Sequence, residues 1–300
     1  KTFIKGGADS VQLNFPKQKR GENPLRRKPV VSGVFYQDNL IALRNQIEKL
    51  FLGPIGPGQL PDFPTKPLQK SLGAVLPHAG YVYSGSVSAW GIWELAKRGK
   101  PETIVLIGPS HTGMGKPISI WNKGSWETPF GQVEVDEKLA DLLLSRYNYA
   151  SGDFEGHMGE HSLEVNLPML QYIYGKDFRI LPVSMMDQRK QTALDLGNQF
   201  SFLKTLKPLL IIASTDLNHY ESESVTRSKD QEVIDAILSM NVERLYSVIS
   251  EQSITMCGFG PAATLMSSGE WKPKLLKHAT SGEITGDYQR VVGYVSMLFE

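Results

Sequence analysis

TIVLIGPSH, residues 103–111, carries the reading of the fold: an unbroken apolar run from Thr103 to Gly108 is stopped by Pro109 and followed at once by His111. A short apolar run without alternation is what a strand covered on both faces shows. Two more stretches repeat the design. LGAVL (Leu72–Leu76) runs into Pro77-His78-Ala79-Gly80-Tyr81, and LLIIAST (Leu209–Thr215) into Asp216-Leu217-Asn218-His219-Tyr220. FRILPVSM (Phe178–Met185) reads as a further strand. Helical patterns near Ser86–Lys97, Asp136–Arg146, Gln188–Lys204, Val225–Ser239 and Val242–Ile249 separate or follow these runs. Alternation of this kind predicts an α/β domain with a central mixed, largely parallel sheet flanked by helices.

Outward from that centre, DNLIALRNQIEKLF (Asp38–Phe51) is expected as a helix capped by Asp38, and Gly53–Pro67 as a Pro/Gly-rich surface loop. LLKHAT and RVVGYVSML read as two closing strands around a GEITGD turn region. No repeat or low-complexity segment interrupts the chain, so residues 29–300 are expected as one domain.

The 300 residues suffice to bury a core without disulfides, and the lone Cys257 excludes an internal disulfide and a cysteine-rich zinc module. Formal charge is +1, too balanced for a protein that coats nucleic acid. The balance hides an asymmetry: residues 1–28 hold eight Lys/Arg against Asp9 and Glu22, a net +6, which leaves −5 for the rest. Those residues are expected to be a basic arm, native or a cloning remnant. With no apolar run of about 18 residues and no signal-peptide core, a cytoplasmic protein without membrane contact is expected.

In an open α/β sheet the ligand crevice lies beyond the carboxyl ends of the strands. His78, His111, Asp216 and His219 all fall there, and form the first candidate set of ligands or proton-transfer groups. A second set comes from GHMGEHSLEVNLP (Gly156–Pro168). His157-Met158-Gly159-Glu160-His161 spells H-x-x-E-H, but the glycines around it oppose the helix that a zinc peptidase needs. The helix is expected after His161, with Ser162 as cap and Leu163, Leu167 and Leu170 on its buried face up to an interruption at Pro168. Glu160 and His161 then project from the preceding loop as an acid/base pair or as support for a metal. Cys257 precedes Gly258-Phe259-Gly260-Pro261, and Pro261 suits a first helical turn, where free N–H groups favour a thiolate ligand or nucleophile. GPSHTG (Gly108–Gly113) misses the G-x-S-x-G nucleophile elbow at Thr112. No P-loop or G-x-G-x-x-G follows a strand, so nucleotide cofactors have no support.

Taken together, PHAGYVYSG (77–85), GPSHTG (108–113), EHSLEVNLP (160–168), STDLNHY (214–220), CGFGP (257–261) and the terminal TGDYQRVVGYVSM resemble the Memo family, also called AmmeMemoRadiSam system protein B, from about Val30 to the carboxyl end. The resemblance implies a fold similar to the class III extradiol dioxygenases and an iron or copper ion on His78, His111 and Cys257. Asp216 and His219 would line the same pocket; Tyr81 is expected as a pocket wall, and Tyr81 and Ser110 as cofactor-binding residues. Iron dioxygenases use two His and one carboxylate; a thiolate in the acid's place favours copper and opposes ring cleavage, while Asp216 still offers a carboxylate. The function expected is a redox-related, metal-dependent protein that takes a small molecule or peptide in the His/Cys pocket. Two alternatives stand beside it: a module that binds a phosphopeptide or small anion without turnover through the same residues, and a metal- or thiol-dependent hydrolase acting through His157, Glu160 and His161 or through Cys257.

Overall fold

The apolar runs become neighbouring strands of one sheet in the computed structural model, which describes residues 26–300. In chain order its strands are β1 (Arg26–Arg27), β2 (Leu72–Leu76), β3 (Thr103–Pro109), β4 (Ile118–Ile120), β5 (Ser125–Thr128), β6 (Gly131–Val135), β7 (Ala150–Gly152), β8 (Arg179–Met185), β9 (Leu209–Ser214), β10 (His219–Glu221), β11 (Pro273–Thr280) and β12 (Val291–Phe299). The helices are α1 (Leu40–Leu52), α2 (Tyr81–Ala96), α3 (Glu137–Arg146), α4 (Leu167–Tyr174), α5 (Lys190–Lys204), α6 (Glu223–Leu238), α7 (Val242–Glu251), α8 (Phe259–Ser267) and α9 (Gly282–Thr285). The central order is β6-β8-β3-β9-β2-β12, parallel through β2, with β12 antiparallel to both β2 and β11. Register levels the carboxyl ends: Leu76 lies opposite Ser214, and Pro109 opposite Met185.

Both faces of the sheet are buried, as the unbroken apolar runs predict. Val105, Ile107, Ile211 and Ala213 face a layer built with α3, α5, α6, α7 and α8. Ile104, Leu106, Leu210 and Ile212 face a second layer built with α1, α2 and α4. No helix among the described residues is long and apolar enough to cross a membrane.

Several boundaries differ from expectation, each for a local reason. Helix α1 is capped by Asn39, whose Oδ1 accepts the Ile41 and Ala42 N–H groups, and not by Asp38 one residue earlier. Helix α2 starts at Tyr81, five residues before the expected Ser86, although Tyr-Val-Tyr-Ser-Gly is a weak helix former. Tertiary contact overrides propensity there: the Phe35 carbonyl accepts the Tyr81 N–H at 2.7 Å. Pro168 does not interrupt α4, since it sits in the first turn, where a missing N–H costs nothing. Ser162 does not cap that helix; its hydroxyl donates to the Pro109 carbonyl at 2.9 Å. The short strands β4, β5 and β6 lie in WNKGSWETPFGQVEV and its flank, where runs of three to five residues gave no period to read.

Residues 26–28, the end of the expected basic arm, are among the described residues. Arg26 and Arg27 pair with β5, and the Arg27 side chain is 2% exposed. Its guanidinium donates to the His157 carbonyl (3.0 Å), the Glu160 carbonyl (2.5 Å) and Glu164 Oε2 (2.7 Å), and lies over Trp126. Residues 1–25 of the expected basic arm lie outside the described residues. Glu164, itself buried, also accepts from the Val30 and Val31 N–H groups and from the Tyr36 hydroxyl. Removing one member of such a pair leaves the other charge buried and uncompensated. Arg27→Met is therefore expected to lower unfolding free energy by about 3–5 kcal/mol in urea titration, and adding Glu164→Gln is expected to recover part of that loss.

Candidate metal centre

His78 leaves β2 with its ring 2% exposed. Its backbone N–H donates to Asp216 Oδ1 at 2.9 Å, which ties the end of β2 to the end of β9. The ring Nδ1 lies 2.8 Å from Ser214 Oγ, whose single proton goes to the Ser162 carbonyl at 2.6 Å. Asn166 Nδ2 donates to the same hydroxyl oxygen at 3.0 Å. Ser214 therefore accepts from His78, the proton of His78 sits on Nδ1, and the lone pair of Nε2 faces the Cys257 sulfur at 3.2 Å. Burial holds the His78 pKa well below the usual histidine value, and the nearby His111 and His161 add to that. A neutral ring results.

His111 is fixed by Glu160, whose buried carboxylate accepts the His111 ring Nδ1–H at 2.9 Å and its backbone N–H through the other oxygen. Glu160 Oε1 also takes the backbone N–H groups of His161 (3.0 Å) and Ser162 (2.9 Å). Burial pushes the Glu160 pKa up, but the hydrogen bond and charge of His111 outweigh it and keep the group ionised. Burial likewise disfavours charge on His111, yet its hydrogen bonds to Cys257 and Glu160 win and push it up to about 11. His161 is stacked on His111 at 4.7 Å and meets the edge of Phe35 at 5.0 Å; burial lowers it to about 4.

His78, His111 and His161 offer ring nitrogens that all lie within 4.8 Å of one another. Cys257 adds a sulfur 3.2 Å from His78 Nε2. It sits just before Gly258, the residue that caps α8, and its Sγ accepts the Asp216 N–H at 3.2 Å. Gly258 is required there because a Cβ would come within 2.4 Å of the Ser214 carbonyl oxygen. The donor set suits a transition metal. Two of the rings pass their other N–H to a hydroxyl or a carboxylate, the arrangement that fixes tautomer and orientation in metal-ligating histidines.

A family model described as Memo-like protein matches residues 27–298. This chain belongs to the Memo family. It is 46% identical over 276 residues to a MEMO1 family protein of Thermotoga petrophila, covering 91% of this chain and 99% of that one. Relatives of the same description from Sulfurisphaera tokodaii and Methanothermobacter thermautotrophicus are 41% and 42% identical, with coverage of 91% and 90% of this chain and 99% of theirs. An uncharacterized Escherichia coli protein of known structure shares the fold at TM-score 0.55 and 10% identity, over 77% of this chain and all of that one.

The remaining expected residues of this Memo-family chain fall at different depths. Asp216 is 5% exposed beside His78, and burial raises its pKa against the opposing charge of His219. His219 opens β10 with its backbone N–H on Thr255 Oγ1, while its Nδ1 is buried without a hydrogen-bond partner. Ser110 Oγ is also buried without one. Tyr81 packs on Tyr36 in the core and spends its hydroxyl on the Val165 carbonyl, so it braces the start of α2 and has no donor to offer a pocket ligand. His161, expected in proton transfer, stands within the imidazole cluster. Ser214, Asn166 and Glu164 lie within the quoted motifs, yet nothing in the sequence singles them out, because single polar residues next to apolar runs are commonplace.

His157 is apart from this set. It closes a 3₁₀ turn, donates through Nε2 to the Ser119 carbonyl at 3.0 Å and lies between Trp121 and Trp126, so H-x-x-E-H is not presented on a helix. Burial, then the charge of Arg27, lowers its pKa to about 3. Unfolded histidine binds a proton below about pH 6.5. Between these values the unfolded chain holds the extra proton, so His157 makes stability fall as pH drops through that window. Chemical unfolding between pH 7 and pH 4 is expected to show a shallower decline for His157→Gln than for the wild type.

Proposed function

We propose that this Memo-family protein binds an iron or copper ion through His78 and His111, with the other protein donors drawn from Cys257 and His161, and that the centre serves redox chemistry on a small molecule or peptide. The observation that carries the reading is the pair of pre-set imidazoles: His78 turns its Nε2 lone pair toward Cys257 because Ser214 takes Nδ1–H, and His111 gives Nδ1–H to Glu160. Bound iron or copper would supply electron transfer and Lewis acidity. The chain itself supplies orientation. Glu160 aims the His111 ring, Asp216 anchors the His78 backbone, and Phe35 limits the movement of His161. His219, with its unpartnered Nδ1, is the group left to exchange a proton with a bound ligand.

A thiolate among the donors favours copper more than a set of two imidazoles and a carboxylate does, and it argues against ring cleavage. A second reading draws on the raised pKa of His111, which keeps its ring protonated against the Glu160 carboxylate in the metal-free protein: capture of a small anion or phosphopeptide without turnover. Hydrolysis through His157 has no such support, since its ring is committed between two tryptophans.

Metal analysis after anaerobic reconstitution of protein purified without a histidine tag tests the first reading. Wild type is expected to hold iron or copper and His111→Ala to lose it. Glu160→Gln is expected to weaken binding roughly 10- to 100-fold, the usual cost of disturbing a group that orients a ligand. Phenyl phosphate that binds the metal-free protein tightly, with no metal taken up by the wild type, would favour the second reading instead.

A further inference from the structure

Gln188 follows β8, whose carboxyl end is level with that of β3. Its side-chain Nε2 donates to the Cys257 carbonyl at 2.8 Å, and its Oε1 accepts the Gly260 N–H at 2.8 Å. One amide therefore holds both ends of the Cys257–Gly260 turn. The Gln188 carbonyl is in turn fixed by the Tyr246 hydroxyl at 2.7 Å. The packing leaves no slack on either side. A Cβ at Gly260 would come within 2.8 Å of Gln188 Cβ, and one at Gly258 within 2.7 Å of Thr215 Cβ. Across the turn, the Asp216 N–H points at the sulfur and Thr215 Oγ1 accepts the Gly258 N–H at 2.9 Å. Cys257 is thus clamped between the loop after β9 and a single side chain from the loop after β8.

We propose that Gln188 is a positioning residue that keeps the Cys257 sulfur within bonding reach of an ion held by His78 and His111, and so decides whether that ion takes a soft donor. The inference rests on the metal-binding reading above. Gln188 has no hydrogen bond to His78, His111 or His161, so its effect should pass through the sulfur and leave the imidazoles in place.

Cobalt(II) is the probe, because a cobalt–thiolate bond gives a charge-transfer absorption that cobalt–imidazole bonds lack. Wild type is expected to show that band, and Cys257→Ser to bind cobalt without it. Gln188→Ala is expected to lose the band per bound cobalt and to weaken cobalt affinity roughly 10- to 100-fold. Gln188→Glu keeps an acceptor for the Gly260 N–H but sets an oxygen against the Cys257 carbonyl, so it should lose the band as well and provides a second variant if alanine fails to fold. An unchanged band per bound cobalt in both Gln188 variants would overturn this inference and leave the metal reading standing. A wild-type protein that binds cobalt with no thiolate band would overturn it too. Failure of the wild type to bind cobalt, iron or copper would sink the metal reading, and this inference with it.

Discussion

The buried carboxylate of Glu160 is the constraint on which the site depends. It accepts the ring and backbone N–H groups of His111 and the backbone N–H groups of His161 and Ser162, so one anion fixes two of the three clustered imidazoles. Burying such a charge is costly unless its lone pairs are filled, and here they are. Support continues behind it. Arg27 holds the Glu160 carbonyl and pairs with Glu164, which gathers the chain from Val30 to Tyr36. The segment that brings Phe35 against His161 is therefore fastened by the same charges that shape the 160–162 turn.

Buried charge is balanced locally in this region. Glu160 faces His111, and Glu164 faces Arg27, while His78 and His161 are kept neutral by burial. Interiors of this kind are stable as complete networks and fragile when one member is removed. The turn that carries His161 also fits tightly against β3: a Cβ on Gly108 would come within 2.7 Å of Ser162 Oγ. Electrostatics and close packing thus select the same backbone position.

Much of this was legible in the residues. The apolar runs Leu72–Leu76, Thr103–Gly108 and Leu209–Thr215 are strands to within a residue, because a strand buried on both faces has no choice but to be continuously apolar. Placement of His78, His111, Asp216 and Cys257 followed from the same logic, since strand ends and helix starts meet on one side of such a sheet. What stayed hidden depends on partners distant in sequence. Nothing near Arg27 announces that it is buried, for its three acceptors lie more than a hundred residues away. Tyr81 looks like a pocket residue beside His78, yet helix geometry turns its ring into the core. His161 stands in the imidazole cluster because Glu160 takes its backbone N–H and Phe35 backs its ring, contacts that its neighbours in the chain do not announce.

The sheet, finally, divides the labour of holding the donors. His78 and His111 come from the strand ends themselves. Helix α8, behind Cys257, belongs to one covering layer, and α4, behind His161, to the other. Because neighbouring residues of a strand point to opposite layers, Leu210 and Ile211 support different halves of the centre although they are adjacent in the chain. Repacking one layer would shift the sulfur and repacking the other would shift the imidazole. Ordinary core residues of the two layers therefore bear separately on where the Cys257 sulfur and the His161 ring sit.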